Sequence, residues 1–227
     1  MLKQPRAVWA VAFACVIAFM GIGLVDPILK SIASQLDATP SQVSLMFTSY
    51  MAIMGIAMLV TGVVSSRIGA KRTLLSGLVL IIIFAALAGA SDSVSAIVAF
   101  RAGWGLGNAL FVATALATIV MSAKGSTGQA IILFEAALGI GIASGPLIGG
   151  VITDHFDWRW AFYVNLPTGG IALFVLATTP HLPKYRTEHR IDWLGAGLLR
   201  VGGTAPVLVT TWGGKKYAWG SKAILGM

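Results

Sequence analysis

The amino-acid sequence predicts an all-α membrane protein, a six-helix bundle of two inverted three-helix repeats followed by one further crossing. Composition is the first reason: the chain is 57% hydrophobic and only 11% charged, against roughly 25% charged residues in soluble domains. The second is the series of charge-free intervals, Ala7 to Val25, Ala38 to Ser66, Thr73 to Ser91, Ala102 to Ala123 and Trp160 to His181. Each reaches the roughly 17 to 25 residues a helix needs to cross the hydrocarbon core. The third is the placement of charge, with basic residues gathered on alternate connections. Because lipid offers no partners to backbone polar groups, crossings of this length must be helices. The short alternating strands of an outer-membrane barrel are not seen.

By the length rule, helix 1 spans about 8 to 28, helix 2 about 43 to 65 and helix 3 about 73 to 91. Helix 4 comes next at about 94 to 121, helix 5 at about 127 to 152 and helix 6 at about 160 to 179. A seventh crossing covers about 193 to 212, and the residues after Trp219 are too few to cross again. His181 to Arg190, rich in charge and carrying Pro183, reads as a cytoplasmic linker. The domains are therefore residues 1–180, a six-helix bundle; 181–192, the linker; and 193–227, the seventh helix and the start of a truncated eighth. Gly62 to Ser65 (GVVS) aligns with Gly150 to Thr153 (GVIT), and the same offset sets Lys71 on Arg159. Three helices separate the copies, which inverts the second in the membrane and gives a 3+3 repeat.

The formal net charge is +8. With the N-terminus in the cytoplasm, Lys3, Arg6, Arg67, Lys71, Arg72, Lys124, Lys184, Arg186 and Arg190 lie inside, whereas Lys30 and Arg159 lie outside among Asp37, Asp92, Asp154 and Asp157. Lys215, Lys216 and Lys222 run against this bias. The distribution is the positive-inside pattern, so the basicity reports topology and not nucleic-acid binding. Lys3 and Arg6 precede an apolar run longer than the core of a secretory signal, and helix 1 is read as retained. The single Cys15 permits no internal disulfide. His155, His181 and His189 lack metal-ligand spacing and no phosphate-binding loop succeeds a strand, so neither a metal site nor soluble-type enzyme chemistry is expected.

Ionisable groups inside crossings are costly and face a cavity or a partner. Four are present, Asp26, Arg101, Glu135 and Arg200. Asp26 and Arg101 fall at comparable depth, with Glu135 nearer the cytoplasm. Gly141, Gly145 and Gly149 recur every four residues, so they share one helical face on which another backbone can lie close. Pro146, between them, removes one helical hydrogen bond and predicts a bend. In the loop from Ser66 to Arg72, Gly69 permits positive φ while Arg67, Lys71 and Arg72 can meet helix-end carbonyls or anionic lipid. Tyr50, Met51 and Met54 can offer an adaptable apolar wall, although core or lipid packing is the more common reading of such residues.

These segments carry a resemblance. GVVSSRIGAKR (Gly62 to Arg72), IVAFRAGWGLGNA (Ile97 to Ala109) and GIASGPLIGG (Gly141 to Gly150) resemble the loop 2–3, helix 4 and helix 5 motifs of the major facilitator superfamily. DWRWAFYVNLPTG, IDWLGAGLL and TWGGKKYAWGS are similar to the fourteen-helix drug:proton antiporter branch. The resemblance implies the N-terminal portion of a multidrug efflux protein, expelling lipophilic or cationic compounds by alternating access in a bacterial plasma membrane. It implies a proton gradient and no cofactor, with membrane lipid, the substrate, and a missing C-terminal half or a second copy as partners. Asp26 and Glu135 become candidate proton carriers, with Arg101 tuning or answering their protonation. Gly62, Ser66, Arg67, Gly69, Lys71 and Arg72 become a conformational latch. Gly141, Gly145, Pro146, Gly149 and Gly150 become a hinge or seal, and Tyr50, Met51 and Met54 candidates for a drug pocket. The chain departs from the family pattern at Ser66, Gly21, Asp26 and Lys30, where aspartate, aspartate, asparagine and proline are usual. Two alternatives stay open: a twelve-helix facilitator exporting a metabolite or sugar, and an inactive membrane fragment.

Overall fold

The structure, a computed structural model, describes residues 4–179. The predicted linker at 181–192, the seventh helix and the segment to residue 227 lie outside the described residues. In chain order the helices are α1 (Arg6–Gly23), α2 (Val25–Gln35), α3 (Pro40–Ile68), α4 (Ala70–Gly89), α5 (Val94–Ser122), α6 (Thr127–His155), α7 (Arg159–Tyr163) and α8 (Asn165–Thr178), with no strand among the described residues. Together they make six helices long and apolar enough to cross a membrane, α1 with α2 forming the first and α7 with α8 the sixth.

The two composite crossings break for the same reason. Pro27 has no N–H to give the Gly23 carbonyl, and Pro167 none to give Tyr163, so a turn residue, Leu24 or Val164, stands three positions before each proline. Pro146 likewise leaves the Ile142 carbonyl without its helical donor, yet α6 continues unbroken from Thr127 to His155. The first crossing runs to Gln35, beyond the predicted end near residue 28. Its added length is the amphipathic α2, which buries Val25, Ile28 and Ile32 on one face.

Short connections are closed by helix caps. Thr39 and Gln42 form a reciprocal capping box before α3, with Pro40 at the first helical position. Ser93 and Ser126 accept from backbone N–H groups three residues on, at the starts of α5 and α6. Between α3 and α4 the chain reverses at one residue, Gly69, with φ +89° and ψ 149°. A side chain would be strained in that conformation.

Packing obeys the inverted repeat. The second crossing, α3, lies on the fourth, α5, while the fifth, α6, lies on the first, α1; the third and fourth pair, as do the sixth and first. Exchanging crossings 1, 2 and 3 with 4, 5 and 6 maps each of these pairs onto another, as a pseudo-two-fold requires. Small residues set the close approaches: a Cβ added at Gly77 would fall 2.8 Å from the Gly107 carbonyl oxygen. The core between them holds Leu74, Leu78, Ile97, Trp104, Phe111 and Phe162, all fully buried.

Two crossings remain largely uncovered. On α3, Leu45, Met51, Ile56 and Leu59 are exposed, and on α6, Ile132, Ile140, Leu147 and Val151 are. Of α6 only Ala130, Phe134, Ala137, Gly141, Gly145 and Gly149 are buried. Apolar faces this extensive belong against lipid or other helices, not water.

Candidate functional site

Among the described residues the bundle encloses one fully buried cation. Arg101, in the second turn of α5, is 0% exposed. Its Nε donates to the Met46 carbonyl of α3 at 3.4 Å. Its guanidinium carbon lies over three aromatic faces, 4.7 Å from the Tyr50 ring centre, 5.4 Å from Trp104 and 5.7 Å from Phe47. Ring quadrupoles attract a desolvated cation by about 2 kcal/mol, which offsets part of the cost of burying it. Nη1 and Nη2 have no hydrogen-bond partner among the described residues. Neither do Trp104 Nε1 and Asn108 Oδ1 nearby on the same helix.

Around this cation runs a polar seam that a search for ionisable residues misses. Asn108 donates through Nδ2 to the Tyr50 hydroxyl at 2.7 Å, joining α5 to α3 deep in the core. Asn165, also buried, donates to the Ala161 and Phe162 carbonyls at 3.0 and 3.1 Å, steadying the break before Pro167. The sequence signal for both is a lone amide inside an apolar run. Gly21 borders the same region, since a Cβ there would fall 2.5 Å from Asn165 Oδ1 and 3.0 Å from Trp104. A side chain at that position would require Asn165 and Trp104 to shift.

Of the predicted acidic pair, Asp26 occupies the first turn of α2 just past the Leu24 break, where a carboxylate also favours the helix N-terminus. It is exposed, close enough for its charge to act on Arg101, and free of hydrogen bonds and ion pairs among the described residues. Glu135, in the third turn of α6, is exposed on that helix's open side and likewise without such a partner. The structure thus joins Arg101 to Tyr50 and sets Asp26 within its field, while Glu135 stands apart on α6. Tyr50, Met51 and Met54 also diverge. Tyr50 is fully buried, Met54 packs partly buried against the core, and Met51 projects 53% exposed from the open face of α3.

The glycine stripe of α6 is a backbone contact with α1 and α2. A Cβ added at Gly141 would lie 2.6 Å from the Val16 carbonyl oxygen, and one at Gly149 would lie 3.1 Å from both the Leu24 oxygen and Pro27. One at Gly23 would lie 2.7 Å from the Ile142 carbonyl oxygen, the group that Pro146 leaves without its helical donor. The stripe therefore docks the break of the first crossing against the proline of the fifth. Gly150, by contrast, faces open space.

At the end of the bundle where α1 begins and α8 finishes, Lys71 donates through Nζ to the Ala177 carbonyl at 2.7 Å and the Thr179 carbonyl at 2.9 Å. A cation there satisfies carbonyls left free at a helix C-terminus. Arg67 and Arg72 are exposed without such bonds, and Ser66 spends its hydroxyl on the Val63 carbonyl of its own helix. Gly62 faces open space. At the opposite end, Arg159 binds Asp92 at 2.8 Å and the Ser91 carbonyl at 3.1 Å, tying the α4–α5 loop to the start of α7. No group of His, Cys, Asp and Glu suited to a metal ion occurs among the described residues.

Comparison with known proteins agrees with this architecture. The Bacillus subtilis multidrug efflux protein YfmO is 57% identical over 185 residues, covering 81% of this chain and 46% of that protein. Multidrug resistance protein 3 of the same organism is 34% identical over 183 residues, covering 79% of this chain and 35% of that protein. The chain thus spans less than half the length of these relatives. Among solved structures, a crystal structure of the peptide transporter POT in complex with sulfate superposes with a TM-score of 0.74 at 15% identity, covering 93% of this chain and 47% of that one. The family described as the Major Facilitator Superfamily matches residues 11–226. Six membrane-length helices, the paired inverted packing and this match together place the chain in the major facilitator superfamily of integral, multi-pass membrane transporters.

Proposed function

We propose that this chain is the N-terminal portion of a proton-coupled exporter of lipophilic or cationic compounds, working by alternating access in a bacterial plasma membrane with its N-terminus in the cytoplasm. The observation that carries the reading is Arg101, a buried cation with two unpartnered guanidinium nitrogens in electrostatic reach of an unpaired Asp26. A carboxylate near such a cation changes its interaction energy on gaining or losing a proton. Coupling that change to movement of the break at Leu24 links protonation to the α1–α6 seam. Glu135 serves as a second proton site on the cavity side of α6.

The exposed apolar faces of α3 and α6 fit a pathway shared with a second bundle, supplied by a C-terminal half or by another copy. Met51 and Met54 then contribute to a pocket suited to varied apolar shapes, and Tyr50 supports it through Asn108. The efflux activity named for YfmO favours drug-like substrates, and the proton gradient takes the place of a cofactor. The Ser66 to Arg72 loop steadies one conformation through Lys71, without the carboxylate latch that an aspartate at Ser66 would supply.

The test is export from proteoliposomes holding the full-length transporter, using a fluorescent lipophilic cation and an imposed pH gradient. Gradient-dependent export that stops when a protonophore collapses the gradient supports the reading. Export indifferent to the gradient, or movement of neutral sugars only, overturns it.

A further inference from the structure

The geometry points to a binding site for an anionic phospholipid in the groove between α1 and α8, at the cation-rich end of the bundle. This groove, of about 570 Å³, is lined by Arg6, Trp9 and Phe13 of α1 and by Ile171, Val175 and Thr178 of α8. The site is separate from the buried Arg101 cluster and from the faces of α3 and α6, so it does not depend on the transport reading.

Polarity is graded along the groove. The first crossing begins where the sixth ends, so α1 and α8 run antiparallel, and Arg6 and Thr178 meet at the membrane-surface end. Deeper in, the walls are Phe13 and Ile171, apolar side chains that are 41% and 54% exposed. Trp9 stands between, 43% exposed, at the level where indole rings settle between headgroup and acyl chain. A ligand that fits must be anionic at one end and aliphatic along its length.

Charge complementarity selects the headgroup. Arg6 is exposed and has no ion pair or hydrogen bond among the described residues. A guanidinium presents a planar fork that matches phosphate. Among the described residues no acidic one lines the groove. Arg67, Lys71, Arg72 and Lys124 lie at the same end of the bundle, and all described acidic residues other than Glu135 lie toward the other end. Lys71 is near enough to bind the carbonyl of Thr179, which also lines the groove. A free phosphate would use Arg6 and leave the apolar walls unfilled; a diacyl phosphatidylglycerol uses both.

Quenching of Trp9 tests the site. The full chain is reconstituted in vesicles containing a minor fraction of phosphatidylglycerol or phosphatidylcholine with acyl chains brominated near the headgroup, and the Trp9 signal is taken as wild type minus Trp9→Phe. Brominated phosphatidylglycerol is expected to quench Trp9 about fivefold more strongly than phosphatidylcholine at equal fraction, the ratio one cation near anionic lipid gives. Arg6→Gln should equalise the two lipids. Val175→Phe, which fills the groove without changing charge, should cut quenching by phosphatidylglycerol to the phosphatidylcholine level, a check that holds even if Arg6→Gln disturbs insertion. Equal quenching of the wild type by both lipids, or quenching by neither because protein fills the groove, overturns the proposal. So does loss of the preference on adding inorganic phosphate at constant ionic strength, which would assign Arg6 to a free anion.

Discussion

Gly145 of α6 lies backbone to backbone on Gly23 of α1: a Cβ at Gly145 would sit 2.5 Å from both the Cα and the carbonyl carbon of Gly23. No rotamer change relieves such a clash, because the obstructing atoms are main chain. The contact falls where the first crossing is already broken before Pro27 and where Pro146 has freed the Ile142 carbonyl. Two weakened helices therefore meet at their weak points.

Gly145→Val should force α1 and α6 apart. Overpacking of this kind costs about 1–3 kcal/mol, so thermal unfolding in detergent should shift down and export by the full-length transporter should fall. Gly150→Ala is the control, since nothing lies within 4 Å of a Cβ there, and removing a mid-helix glycine is worth up to about 1 kcal/mol. Its stability should hold or rise. Full export and unchanged unfolding in Gly145→Val would show the stripe to be neither a hinge nor a tight seam.

Tyr50 and Asn108 should behave as one unit. Tyr50→Phe leaves the Asn108 amide without its hydroxyl partner beside an Oδ1 that already lacks one, and Asn108→Leu strands the Tyr50 hydroxyl. Each single change should destabilise by about 1–3 kcal/mol, the cost of an unsatisfied buried polar group. The double variant removes both groups and should cost less than the sum, with a coupling of about 1 kcal/mol. Additive losses in a double-mutant cycle would mean that the bond adds nothing.

Much of the fold is legible because lipid imposes a length: a charge-free run that must hydrogen-bond within itself ends close to where the helix ends. The length rule stops the first crossing short because Asp26 and Lys30 resemble its exit. The helix instead carries on as α2, whose charges point outward while Val25, Ile28 and Ile32 stay buried. The spacing of Gly141, Gly145 and Gly149 announces a close contact, but only the fold shows that α1 is the partner. The Arg101 site is half legible. Ionisable residues in apolar runs stand out, whereas Asn108 and Asn165 matter through hydrogen bonds that join or steady elements distant in sequence or broken by proline.

Lys71 should contribute to stability where its basic neighbours do not. It bonds two carbonyls at the end of α8, a partly exposed arrangement worth about 0.3–1 kcal/mol. Lys71→Met should lower the unfolding temperature modestly, while Arg72→Met, exposed and without such bonds, should stay within about 0.5 kcal/mol of the parent. Equal effects from both would assign the loop's charge to topology alone.

Asp26 and Glu135 divide the proposed proton chemistry by their surroundings. Asp26 lies in the field of Arg101, so its loss of charge is felt by the buried cation; Glu135, on the open side of α6, has no such neighbour. In gradient-driven export by the full-length transporter, Asp26→Asn should give equal rates with and without an imposed pH gradient. Glu135→Gln should retain stimulation at a reduced level. Neither change creates a clash, since amide and carboxylate are nearly the same size, and surface expression should match the parent. Proton stimulation that survives unchanged in both variants would remove these two carboxylates from the coupling mechanism and leave Arg101 a purely structural cation, held by Met46, Tyr50 and Trp104.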